Sequence, residues 1–84
     1  MARDGRRNDD RDQNLAEELH DRIFELLLDK VRQDTYPSTT HLDMLQSMLR
    51  DEDDVEAFVN ALMEKVEQEN YPSIDHLRRL KVYA

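Results

Sequence analysis

The chain has 84 residues, 38% of them charged, a formal net charge of -8 and no cysteine, so neither a disulfide nor a thiolate zinc site can hold it together. A chain this short buries only about 60–65% of the surface it exposes when unfolded, so the core is thin. Charges cancel over residues 1–13, which leaves the excess of carboxylates on residues 14–84, where it repels phosphate backbones and argues against direct nucleic-acid binding. The basic start is followed by no apolar run, which argues against a leader or a membrane anchor and makes the cytoplasm the expected compartment.

Residues 1–13 alternate Arg and Asp with no aliphatic residue beyond Met1 and Ala2, and are expected to form a charged tail that does not repay the entropy of ordering. From Asn14 the pattern changes. Leu15, Leu19, Ile23, Leu26, Leu27 and Val31 recur at spacings of three and four, with Phe24 and Leu28 widening the stripe, which predicts a helix over about 14–34. A second helix is expected from about Ser38 to Leu49, with Leu42, Leu45, Met48 and Leu49 on one side. Asp51-Glu52-Asp53-Asp54 supplies a cap and first-turn carboxylates for a third helix carrying Val55, Phe58, Val59, Leu62, Met63 and Val66. A fourth helix starts near Ser73 and runs to the end through Ile74, Leu77, Leu80 and Tyr83. No stretch alternates with period two for long enough to make a strand.

Laying residue n over residue n+35 makes the second half echo the first. Leu27, Lys30, Val31, Gln33, Tyr36, Pro37, Ser38, His41, Leu42 and Leu45 recur as Leu62, Lys65, Val66, Gln68, Tyr71, Pro72, Ser73, His76, Leu77 and Leu80. The identities concentrate at the turn and on the apolar stripe. Proline at 37 and 72 ends the preceding helix because it lacks the N–H that a continuing helix needs, and Ser38 or Ser73 then caps the next one. Tyr36 and Tyr71 are expected to pack their rings across the corners, with His41 and His76 fitting against them. The expected fold is therefore all-α: four short helices as two tandem αα-hairpins, 14–50 and 51–84, within one domain spanning 14–84. The repeat length invites comparison with tetratricopeptide repeats, but the small residues and glycine that let those helices pack closely are missing, and no family is assigned.

Sites for chemistry are few. His41 and His76 occupy equivalent positions and could form a metal-binding pair, but three or four converging ligands are needed and no tight spacing such as H-x-x-x-H is present, so no metal or other cofactor is expected. An EF-hand reading of Asp51–Asp54 fails because position six is Glu56, where a glycine is needed. Ser38 and Ser73 are committed to capping, and four short helices leave little room for an enclosed catalytic pocket or a small-molecule substrate, so no enzyme is expected. The basic run His76-Leu77-Arg78-Arg79-Leu80-Lys81 suits the C-terminal dipole of its helix, and Arg78 and Arg79 are also candidates for meeting an acidic partner.

The first helix differs from the third in one respect. It shares the common stripe and adds Leu15, Leu19 and Leu26 to one side of it; the counterparts of Leu19 and Leu26 are Asp54 and Ala61. This strip either covers the fourth helix within the monomer or forms a seam for another chain. With so thin a core, self-association as a helical-bundle homodimer is the favoured expectation. The sequence thus reads as a small acidic protein–protein interaction module. One alternative is a regulator that uses its acidic surface on a basic or nucleic-acid-binding partner. Another is a metal-binding protein using His41 and His76.

Overall fold

A computed structural model describes the backbone of residues 2–84 and the side chains of residues 13–84. Four α-helices follow one another: α1 (Ala2–Gln33), α2 (Thr39–Ser47), α3 (Glu52–Gln68) and α4 (Ile74–Lys81). Among the described residues there is no strand, and no helix is long and apolar enough to cross a membrane. The helical backbone of α1 begins ahead of its apolar stripe; the expectation of a charged tail over 1–13 falls almost entirely on side chains outside the described residues.

Helix starts follow the capping chemistry. The Ser38 hydroxyl accepts from the backbone N–H groups of Thr40 (3.2 Å) and His41 (3.4 Å), and the Ser73 hydroxyl accepts from His76 (3.4 Å). Asp51 caps α3 by accepting from the Asp54 N–H at 2.9 Å, with Glu52, Asp53 and Asp54 in the first turn.

Helix ends were less legible. α2 stops at Ser47, two residues before the expected end, and the carbonyl of its C-cap residue Met48 finds a partner outside the helix: His20 on α1 donates its Nε2–H to it at 2.7 Å. His20 also stacks on Phe24, with ring centroids 6.0 Å apart. α4 ends at Lys81 and the chain continues as a turn in which the Tyr83 N–H bonds the Leu80 carbonyl, setting the Tyr83 ring edge-on to Phe58.

α1 packs against α2 and α3, and α3 packs against α4. One core runs through these contacts: Phe24, Leu27, Leu28 and Val31 of α1, Leu42 and Leu45 of α2, and Phe58, Ala61 and Leu62 of α3. Polar links run alongside it. Arg32 of α1 lies 3.9 Å from Glu64 of α3, while Arg50 joins Asp21 of α1 (2.8 Å) to Asp54 of α3 (3.4 Å). Residue numbers rise together along both helices in these pairs, so α1 and α3 run in the same direction. α2 meets the C-terminal part of the chain through Asp43 and Gln46, which both contact Arg79, and Gln46 also contacts Tyr83.

The corners depart from expectation in one respect. Tyr36 and Tyr71 do not pack across the helix junctions; they are 86% and 93% exposed. At the first corner Pro37 itself is buried, and in an extended segment neighbouring side chains point to opposite sides, so Tyr36 turns outward. At the second corner the Glu69 carboxylate takes the place expected for the ring: it accepts the Ser73 N–H at 3.2 Å and lies 3.6 Å from His76 Nδ1. The two corners face each other across an open groove of about 620 Å³ that Tyr36, Pro37, Tyr71 and His76 help to line.

Candidate protein interaction surface

The apolar stripe of α1 is wider than its neighbours can cover. Phe24, Leu27, Leu28 and Val31 are buried, and about a third of a turn away lies a second row: Leu15 (54% exposed), Leu19 (48%), Ile23 (39%) and Leu26 (60%). Their spacing of four, four and three keeps them in line along the helix. α4 lies against α3, so it does not cover this row. Four large aliphatic side chains in one line on an acidic, strongly polar chain form a continuous oily strip. Strips of that kind mark contact surfaces more often than scattered exposed leucines do.

A second exposed apolar surface lies on α3 and α4. Ile74 (62% exposed) and Leu77 (41%) on α4, with Met63 (38%) on α3, face solvent. α4 turns a different side inward. Its inward side carries His76, Arg79 and Leu80 rather than the Ile74–Leu77 side. His76 is buried, and Arg79 is held by Asp43 (2.8 Å), Asp75 (2.8 Å) and the Gln46 side-chain carbonyl (3.1 Å). Burial works against the charge of Arg79, but the bonds to Asp75 and Asp43 outweigh it and hold the guanidinium above its ordinary pKa. Arg79 is therefore committed within the chain and unavailable to an outside carboxylate, whereas Arg78 is exposed. Arg50 is likewise held charged, chiefly by its hydrogen bond to Asp21.

The histidines do not converge. His76 lines the groove between the corners and His41 does not. Among the described residues there is no group of three His, Asp or Glu side chains placed to hold a metal ion. His20 was the structural residue the sequence did not flag. Its partner is a carbonyl 28 positions away, and no local pattern marks such a bond.

Compared with known protein families, with curated proteins and with solved structures, the chain has no match.

Proposed function

We propose that this chain is a non-enzymatic protein-interaction module, built from two copies of one αα-hairpin, that works by burying the Leu15–Leu19–Ile23–Leu26 strip of α1 against another polypeptide. The observation that carries this reading is the strip itself: four aliphatic side chains in line, each more than a third exposed, that no neighbouring helix covers. A duplicated hairpin is supported by the packing of α1 on α2 and of α3 on α4, and by caps at the equivalent Ser38 and Ser73. A non-catalytic role is supported by the engagement of both cap hydroxyls with backbone N–H groups, which removes them as nucleophiles, and by the open form of the grooves.

Self-association is the favoured form, because burying the strip would enlarge a core that is small for a free-standing domain. Leu19→Glu combined with Leu26→Glu tests the proposal. Both side chains are about half exposed, so the variant keeps its helical circular dichroism and loses mass in light scattering. An unchanged mass would remove the strip from the function; loss of helix would make the strip part of the core.

The exposed carboxylates Glu52, Asp53 and Glu56 at the start of α3 favour a second reading, in which this acidic end meets a basic partner. Such a complex weakens steeply with salt, whereas one held by the α1 strip does not.

A further inference from the structure

Aligning the halves at an offset of 35 residues shows that equivalent positions are buried on opposite faces. Leu28 is 2% exposed and its counterpart Met63 38%; Leu42 is 0% and Leu77 41%. In the other direction Phe58 is 0% exposed and its counterpart Ile23 39%; Ala61 is 0% and Leu26 60%. The stripe that closes each hairpin is shared, and the differences lie on the two flanks of that stripe, Leu28 to one side of Leu27 and Ile23 and Leu26 to the other. Leu27 and Leu62, buried in both, are what shared packing looks like. All four buried residues, Leu28 and Leu42 of the first half and Phe58 and Ala61 of the second, belong to the one core that joins the halves, in which α1 packs on α3. On this reading the Leu28–Leu42 face of the first half meets the Phe58–Ala61 face of the second.

The two faces are different, and the halves run in the same direction. The joint is thus head to tail, not a two-fold contact in which one patch meets its own copy. A head-to-tail joint leaves both of its faces open at the ends of the molecule. The first half still presents the face equivalent to Phe58–Ala61, which carries Leu19, Ile23 and Leu26. The second half still presents the face equivalent to Leu28–Leu42, which carries Met63 and Leu77 with Ile74 beside them. Both are apolar, and a pair of the same two types already fits together inside the chain.

We infer that the occupant of the α1 strip is a second copy of this chain, docked through its Met63–Leu77 face, so that copies associate head to tail and repeat the internal joint between molecules. This rests on the interaction reading above and specifies its partner and geometry. A heterologous contact of this kind does not satisfy itself in a pair, so assembly continues into a row or closes into a ring.

The internal joint also indicates what weakens the external one. Within the chain Arg32 meets Glu64; in the external joint the equivalent positions are Glu67 of one copy and Asp29 of the next, two carboxylates. Together with a net charge of -8 on each copy, this makes association weak at low ionic strength and stronger as salt screens the repulsion. The sign is opposite to that expected for an acidic surface seeking a basic partner.

The test uses two variants of the full chain, each lacking one face: Leu19→Glu with Leu26→Glu, and Ile74→Glu with Leu77→Glu. In sedimentation velocity the unaltered chain gains mass with concentration beyond two copies. Each variant alone loses at least about tenfold in apparent association constant, as truncation of a central contact does. Mixed together they recover one joint and form a pair that stops at two copies, because each retains the face the other lacks. Glu67→Arg tightens association of the otherwise unaltered chain by about threefold, the worth of an exposed ion pair, and serves as the readout if either double variant loses its helical circular dichroism. If the Ile74/Leu77 variant associates as well as the unaltered chain, or the mixture forms no pair, or Glu67→Arg has no effect, the head-to-tail joint is wrong while the α1 strip stands. If the Leu19/Leu26 variant keeps its mass, both proposals fall.

Discussion

The first half of this chain and the second carry the same apolar positions at an offset of 35 residues, yet they use them differently. Leu42 is sealed from water and Leu77 is not, although both sit one turn into a short helix capped by the serine of a Tyr-Pro-Ser corner. In the reverse sense Phe58 is sealed and Ile23 is open. Equivalent places in the sequence repeat do not fix equal burial. A repeated sequence can therefore be locally uniform and energetically uneven, with each half stabilised through a face that its twin leaves free.

The widest difference is expected in the core. Leu42→Ala removes a side chain with no exposed surface and costs about 2–5 kcal/mol, and Phe58→Ala costs about 3–5 kcal/mol. The equivalent Leu77→Ala costs about 1 kcal/mol or less, because that side chain already meets solvent in the single chain. Urea unfolding at low protein concentration measures both. Equal losses at Leu42 and Leu77 would break the comparison at its root. The pair Ala61→Leu and Leu26→Ala sharpens it: the first forces extra methyls into a closed site and costs about 1–3 kcal/mol, while the second changes stability by about 0.5 kcal/mol or less and weakens association.

Much of this fold could be read directly from residues. Four helices, the caps at Ser38, Asp51 and Ser73, and the breaks at the two prolines follow from local rules that act within one turn. The strip of Leu15, Leu19 and Leu26 was legible as surplus, since a helix with two apolar rows has more oily surface than one hairpin partner can cover. What could not be read was which row faces inward. Periodicity measures the width of an apolar arc and is silent on the roll of a helix, and the roll of α4 turns on a polar cluster, Arg79 with Asp43, Asp75 and Gln46, whose members lie on two helices. The placement of the tyrosines failed for a similar reason. Tyr-Pro announces a corner, but which of the two rings fills it depends on the direction of an extended backbone.

That polar cluster gives a contrast of intermediate size. Arg78 and Arg79 are neighbours of one charge, but Arg79 makes three side-chain contacts in a largely enclosed place while Arg78 lies in solvent. Arg79→Ala costs about 1–2 kcal/mol, and Arg78→Ala stays within about 0.5 kcal/mol. Lysine at 79 does not restore the loss, since one ammonium cannot reproduce the planar fork that spans Asp43 and Gln46. Both are read from urea midpoints. An Arg79 loss no larger than that at Arg78 would mean that the roll of α4 is set by Leu80 and Tyr83 alone.

The smallest expected effect lies at the caps. The Ser38 hydroxyl accepts two backbone N–H groups, so Ser38→Ala costs about 1 kcal/mol. The Ser73 hydroxyl accepts one, and the Glu69 carboxylate already holds the backbone of the same corner through the Ser73 N–H, a bond that alanine keeps. Ser73→Ala is accordingly the milder change, by a few tenths of a kcal/mol. Removing the support should reverse that order: in a Glu69→Gln background, Ser73→Ala becomes as costly as Ser38→Ala, because a neutral amide accepts less strongly than a carboxylate. If the two serines cost the same with Glu69 in place, the carboxylate is not what holds the second corner, and the difference between the corners reduces to the burial of Pro37.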